Sequence, residues 1–293
     1  MKKKDFINQT LLTLFFIVIS IIILYPFLML VGISFSNETD IGLNGYKLIP
    51  EHFDLAAYKY IFKTPKKILN AYKVTAIFSF VSMVLSTLLT AMIAYTLSSP
   101  KMRCRKQLSF YLYFTMLFSG GLVPTYILIT QYLRLQDTIW VYILPTLISP
   151  WNVFMMRTFF ANIPASLSES MYLDGASEFR IFATLIIPLS KPVIATVALL
   201  TFLGKWNDWY TSMLYINERE LVSLQYLLQK ILNDIQFMLD NQSSVNASLA
   251  GGEIPSLTAQ MAMAVVASGP ALIIFPFFQK YFVRGLTVGS VKG

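Results

Sequence analysis

Charge and sulfur are what this sequence has least of. Only 13% of its 293 residues are charged, against about 25% in soluble domains. There is one cysteine, Cys104, and one histidine, His52. A lone cysteine builds neither a disulfide framework nor a metal site. Cys104 reads as an ordinary loop thiol, His52 as a surface residue, and no metal is expected. No G-x-x-x-x-G-K-[ST] stretch occurs, so the chain has no P-loop with which to hold ATP. There is no evident nucleophile–base constellation, so an enzyme in its own right is not expected. Internal repeats, a separate soluble domain and the alternating strands of an outer-membrane barrel are also missing. Lys2, Lys3 and Lys4 precede an apolar block too long for a signal-peptide core, and no small-residue cleavage site follows it.

What is abundant is apolar sequence, at 56% of residues, with a mean hydropathy of +0.60. It lies in long blocks. A helix needs roughly 20 mostly apolar residues to cross the hydrocarbon, and its backbone must satisfy its own polar groups there. The expectation is an all-α membrane protein of six transmembrane helices. Charge-poor stretches place them at residues 6–37, 74–100, 107–133, within 138–156 and on to Phe160, from Lys191-Pro192 through VIATVALLTFLGKWNDWYTSMLY, and within 254–279. Pro192 suits a first helical turn, where its missing N–H would be unpaired anyway.

The net charge of +8 reads as orientation rather than nucleic-acid binding. With the N-terminus inside, residues 1–9, 98–107, 157–192 and 280–293 are cytosolic and hold 13 of the 23 basic residues. Lys and Arg concentrate on the cytosolic side, so both termini are expected there; Lys66, Lys67 and Lys73 run against the trend. The longer outside segments, about 34–70 and 215–253, each carry a helical pattern. The second ends in NQSSVNASLAGGE, small and polar, which reads as a loop.

Residues 161–190 are too long for a tight turn and too patterned for a linker. Ser166 and Glu169 fit a capping box that would start a short helix. Asp174-Gly175 interrupts it, since glycine accepts positive φ at a helix end. A second amphipathic helix then has Ala176, Phe179, Ile181 and Phe182 available for one side. Pro188 and Pro192 close the segment. Two short helices at an angle on the cytosolic face could dock in a partner's groove, or lie at the interface without a partner. The pattern alone leaves both open.

Glu169, Gly175 and Pro188 keep the spacing of the E-A-A-x3-G-x9-I-x-L-P signature, here E-S-M-Y-L-D-G, nine residues, then L-I-I-P. Ser170 and Met171 stand where the signature has two alanines. The segment resembles the coupling loop of permease subunits of ATP-binding-cassette (ABC) importers. Asp174-Gly175-Ala176 with Phe179 resembles the form found in carbohydrate importers. NAYKVTAIFSFVSMVLSTLLTAMIAYTLS resembles the second span of that subfamily, and Trp206-Asn207-Asp208 the W-N-[DE] of its fifth. The ending YFVRGLTVGSVKG resembles F-x-x-G-x-T-x-G-x-V-K-G of the MalG-type half, and within that group the chain resembles the LplC/YtcP-type permeases.

The resemblance implies a type I ABC importer permease fold, with residues 1–293 one transmembrane permease domain, 161–190 a cytosolic coupling loop and 280–293 a cytosolic tail. It implies a bacterial plasma-membrane sugar or oligosaccharide importer forming half of the pathway. Its partners would be a second homologous permease chain, two copies of an ABC ATPase that bind ATP and Mg, and a lipid-anchored or periplasmic solute-binding protein. A permease for amino acids, peptides or anions is the alternative, sharing the coupling loop but not the tail. Glu169, Asp174, Gly175, Ala176, Phe179 and Pro188 are the expected ATPase-coupling residues. Glu169 would contact the cleft rim or serve only as a cap; Phe179 would anchor in the ATPase or pack on the membrane helices. Gly285, Thr287, Lys292 and Gly293 would run along the ATPase dimer, or the tail is only a basic anchor.

Ionisable groups inside a membrane are costly and usually functional, which draws attention to the fifth span. Counted from Pro192, Asn207 and Asp208 lie about 23 Å along a helix rising 1.5 Å per residue, in its outer half. Lys205 and Asp208 have the spacing to pair on one face, and Trp206 and Trp209 the spacing to share one. Trp206, Asn207 and Asp208 are therefore candidate substrate-pathway residues. An interfacial aromatic belt with a snorkelling Lys205 is the equal alternative.

Overall fold

Some of the apolar blocks run unbroken as single helices, through Pro26 in one and Pro270 and Pro276 in another, and others fold back at glycine or proline. The computed structural model describes residues 2–62, 65–240 and 256–289. Among these, helix is the only regular structure apart from an isolated Ser36–Phe53 bridge. Three helices contain stretches long and apolar enough to cross a bilayer: α1 (Lys2–Ser34), α4 (Pro65–Ser98) and α15 (Ser256–Gly289), with the apolar stretches at Gln9–Ser34, Pro65–Ser98 and Leu257–Phe278. Between the first two lie the short helices α2 (Glu38–Asn44) and α3 (Ala56–Ile61).

Two further apolar segments are bent. Helix α5 (Arg105–Leu117) meets α6 (Leu122–Ile127) and its π-helical extension to Tyr132 at 113°. The turn is made by Phe118 in extended backbone and by Gly121 at φ +88°, where a side chain would be strained. The expected continuous crossing at 107–133 is thus a bent one. The expected fourth crossing is also broken. Helix α7 (Trp140–Ile143) passes into a 3₁₀ turn at Leu144–Thr146, and α8 (Pro150–Ala161) starts afresh after an extended Ser149. Pro145 and Pro150 explain the break: each lacks an N–H, and Ser149, which precedes Pro150, is steered out of helix into extended backbone.

After α9 (Ala165–Leu173) come α10 (Glu178–Ile181), a π turn at Phe182–Ile186 and α11 (Ile187–Leu189). Helix α12 (Lys191–Trp206) begins with Pro192 in its first turn, as expected, and the Glu178–Leu189 segment meets it at 82°. It stops at Trp206 rather than running to Tyr215; α13 (Tyr210–Tyr215) follows a break. Helix α14 (Leu224–Asp240) is the helical stretch expected in the long outside segment. The NQSSVNASLAGGE loop lies outside the described residues.

The contacts fall into two compact units. One comprises Met1–Ile68 and Leu228–Gly269. In it Gly32 lets the backbone approach closely: a Cβ there would sit 2.2 Å from the Leu48 carbonyl oxygen. Phe35 stacks between Phe53 and Tyr58, with ring centres 5.2 and 4.9 Å away. The Glu38 carboxylate accepts from the Leu257 and Thr258 amides at 2.9 and 3.0 Å and from the Thr258 hydroxyl at 2.7 Å. It thereby satisfies orphan donors at the start of α15, which carries no acidic residue in its own first turn.

The other unit comprises Leu69–Leu227 and Pro270–Gly293. Its apolar core joins Ala91, Ala94 and Leu97 of α4, Val153, Met156 and Phe160 of α8, and Val193 and Val197 of α12. A second cluster centres on Phe78 and Tyr142, stacked 4.2 Å apart. Thr75, Ser79, Ser82, Ser86 and Thr90 are buried along α4, small side chains of the kind that let helices pack closely in lipid.

Candidate functional site

The segment 161–190 folds as an elbow. Helix α9 starts at Ala165 directly after Pro164, with no side-chain cap. The expected Ser166–Glu169 capping box is therefore absent: Pro164 fixes the chain direction, and Ser166 is already inside the helix. The cap occurs one helix later, where the Ser177 hydroxyl accepts from the Arg180 amide at 3.3 Å. Gly175, at φ +77°, turns the chain between the two helices. The Ala176 amide donates to the Met171 carbonyl at 2.9 Å and the Gly175 amide to the Tyr172 carbonyl at 3.0 Å. This is a Schellman turn, with Asp174 as the C-cap that follows Leu173, the last residue of the helix. The interruption expected at Asp174-Gly175 is where the structure has it.

The elbow has an inward and an outward side. Ile181, Phe182 and Ile186 are buried in the core with α4, α8 and α12, and Met171, Tyr172, Ala176, Leu185 and Ile187 pack against it. Phe179 does not join Ala176, Ile181 and Phe182 on that side. It is 72% exposed, and Leu173 is 89% exposed. Glu169, on α9, is exposed as well. Pro188 lies in the first turn of α11, directly after the π turn, whose wider hydrogen-bond spacing relieves the carbonyl a proline would otherwise crowd.

Sequence reasoning missed the group that ties the elbow down. Glu178, at the start of α10, accepts from the Tyr95 hydroxyl of α4 at 2.7 Å with one carboxylate oxygen and from the Tyr172 hydroxyl of α9 with the other. Lys101 Nζ sits 3.8 Å from the centre of the Tyr172 ring, a cation–π contact. Tyr95 also packs on Phe182, ring centres 5.3 Å apart. The hydrogen bond from Tyr172, then that from Tyr95, holds the Glu178 carboxyl below the usual carboxylate range, with the Lys101 charge adding to them against a smaller effect of burial. Ser177-Glu178 at a helix start is a visible sequence signal. Tyr95, 83 residues away, gives none.

The candidate pathway residues are not brought together as one face. Helix α12 ends at Trp206, which is buried and packs near Tyr72 and Phe202, ring centres 6.1 and 5.8 Å away. Trp209 lies beyond the break and is 42% exposed. Lys205 and Asp208 do not pair. Lys205 is buried and donates to the Tyr142 carbonyl and, at 2.5 Å, to the Thr146 hydroxyl. Asp208 instead accepts from the Thr211 amide at 2.9 Å and hydroxyl at 2.7 Å, capping α13. The two side chains are hydrogen-bonded to different partners instead. Asn207 is exposed and accepts from Gln225 at 3.3 Å. Of the tail residues, Gly285 and Thr287 lie on the last turns of α15; Lys292 and Gly293 lie outside the described residues. No group of three or more potential metal ligands occurs among the described residues.

Residues 5–288 match the family described as binding-protein-dependent transport system inner membrane component. The chain belongs to that family. This permease is 39% identical over 282 residues, 95% of its length and 96% of the relative's, to the polygalacturonan/rhamnogalacturonan transport system permease protein YtcP of Bacillus subtilis. It is 37% identical to protein LplC of the same organism over 93% of this chain and 90% of that one. It superimposes with a TM-score of 0.80 on a chain of a bacterial ABC transporter involved in import of the acidic polysaccharide alginate. That pair is 27% identical, and the match covers 95% of this chain and 98% of that chain. The permease thus has the all-α, multi-pass membrane fold of type I ABC importers and is a non-catalytic subunit of a bacterial transporter. Membership in the family implies a complex with permease, ATPase and solute-binding partners.

Proposed function

We propose that this permease imports oligosaccharides, with residues 161–190 as the element that seats on the ATPase and couples nucleotide to alternating access. One observation carries the coupling reading. The elbow is fixed on its inner side by a buried apolar face and presents Leu173 and Phe179 outward. Large exposed apolar side chains on an ordered knob suit insertion into a groove. In this reading the elbow and both termini are cytosolic, as the distribution of basic residues favours. The broken α7–α8 segment completes six crossings with α1, α4, α5–α6, α12 and α15. Glu169 faces the cleft rim, Asp174, Gly175 and Ala176 make the bend, Phe179 is the anchor and Pro188 leads the chain back to the bundle. Gly285, Thr287, Lys292 and Gly293 extend along the ATPase dimer.

The partners are a second homologous permease, two ATPase copies that bind ATP and Mg, and a lipid-anchored or periplasmic solute-binding protein. ATP favours the outward-open state only through contacts stronger in that state than in the other; the elbow is where such contacts reach this chain. Trp206, Asn207 and Asp208 mark the outer end of the pathway. Buried Trp206 and the capping role of Asp208 make them its frame, and Asn207 the exposed polar group.

Placing a cysteine at Phe179 in a Cys104→Ser chain tests the coupling assignment. In the assembled importer, a short thiol cross-linker joins Phe179→Cys to the ATPase. Failure to cross-link in a complex that retains transport overturns the assignment. The substrate class is tested by ATPase stimulation with polygalacturonan, arabinan, galactan and starch digests against amino acids and peptides. Stimulation only by a non-sugar solute overturns the oligosaccharide reading.

A further inference from the structure

We propose that Glu178 is a positioning residue that fastens the elbow to the end of α4, so that thrust on α9 and α10 moves α4 with them. The inference rests on the coupling reading above and adds the route by which motion leaves the elbow.

The Schellman turn at Gly175 sets the angle between α9 and α10 by local backbone bonds alone. It does not attach either helix to the membrane-spanning part of the chain. The inward apolar face does attach them, but apolar contacts are non-directional and allow sliding. Glu178 supplies the directional element. Its two carboxylate oxygens are taken by hydroxyls from different helices, Tyr172 of α9 and Tyr95 of α4, while Glu178 itself begins α10. One side chain therefore links three helices. Hydrogen bonds from hydroxyls to an ionised carboxylate are short and strong, and the 2.7 Å bond from Tyr95 lies in that range. Lys101, in the turn that follows α4, closes over the Tyr172 ring and adds a second attachment between the same two regions. Tyr95 is anchored in turn by its ring contact with Phe182. Glu178 directly precedes the exposed Phe179 on α10, so force received at that side chain reaches the clasp through one peptide unit.

The test uses the complete importer in proteoliposomes, with its ATPase, second permease and solute-binding protein. The solute is a mixture of polygalacturonan, arabinan, galactan and starch digests, and the readout is solute imported per ATP hydrolysed. Tyr95→Phe removes only the hydroxyl and keeps the ring on Phe182; the ratio should fall two- to fivefold. Glu178→Ala should lower it about tenfold and raise ATP hydrolysis in the absence of the solute-binding protein. Glu178→Gln, which can still accept one hydroxyl, should fall between. A merely structural role would reduce the amount of assembled complex and leave the ratio of the remainder unchanged. If Glu178→Ala does not assemble, Tyr95→Phe and Tyr172→Phe decide the matter. An unchanged ratio with the Phe179→Cys cross-link retained refutes the clasp and leaves the coupling reading standing. Loss of that cross-link in the otherwise unaltered chain refutes the coupling reading itself.

Discussion

The elbow at 161–190 and the break between α12 and α13 look alike in sequence. Each sets ionisable residues beside aromatic ones within a few positions of a helix end. The structure puts them to opposite uses. At the break, polar groups turn inward: Lys205 serves the Tyr142 carbonyl and Thr146, and Asp208 serves Thr211. At the elbow, the polar group Glu178 is held by phenols from two helices while Leu173 and Phe179 project outward. The first arrangement consumes its polar capacity locally and stiffens the fold. The second leaves apolar surface free for another molecule. Charge near a membrane thus marks function only where its partners leave something unspent.

Removing Lys205 should break the comparison most severely. Lys205→Ala leaves the buried Tyr142 carbonyl without this donor and opens space. The importer should lose about 2–4 kcal/mol of stability, read as a lower melting temperature of the solubilised complex. A change within experimental scatter would mean that Lys205 is not a strut. Gly175→Val comes next. No atom lies within 4 Å of a Cβ placed there, so the effect is purely conformational, about 1–2 kcal/mol for a β-branched residue at φ +77°. It should change the elbow angle and depress transport more than it depresses melting. The smallest effect concerns pH. The Glu178 carboxyl is held below its ordinary value of 4.5 by Tyr172, Tyr95 and Lys101. A depressed folded value means the contribution is fully present above the unfolded value and is lost as pH falls through the folded one. The difference in melting temperature between the unaltered chain and Glu178→Gln should therefore be flat above pH 4.5 and shrink below it. A difference that grows with acidification would contradict the clasp.

Much of this was legible in the residues. Uninterrupted apolar runs located α1, α4 and the apolar part of α15, because crossing hydrocarbon demands length and composition and little else. Pro192 marked the start of α12, and Asp174-Gly175 the bend. The breaks at Gly121, Pro145 and Pro150 carried their own signals, but an apolar count averages over them. The capping box misled because a four-residue pattern does not say whether a preceding Pro164 has already started the helix. The pairing of Lys205 with Asp208 failed for the same kind of reason: helical spacing applies only while the helix continues, and α12 ends at Trp206. The clasp was beyond reach, because Tyr95 and Glu178 are joined by tertiary folding alone.

Helix α1 carries one more consequence. Its most apolar stretch contributes no buried residue, and Leu11, Phe15, Ile22 and Ile23 are all more than half exposed. Such a rod is coated with hydrocarbon-loving groups around its whole circumference. Lipid acyl chains, or another greasy helix, are its only comfortable solvent. In short-chain detergent it should be the first part to suffer, and a fluorophore at position 15 would sense the surrounding amphiphile before any change reached the elbow.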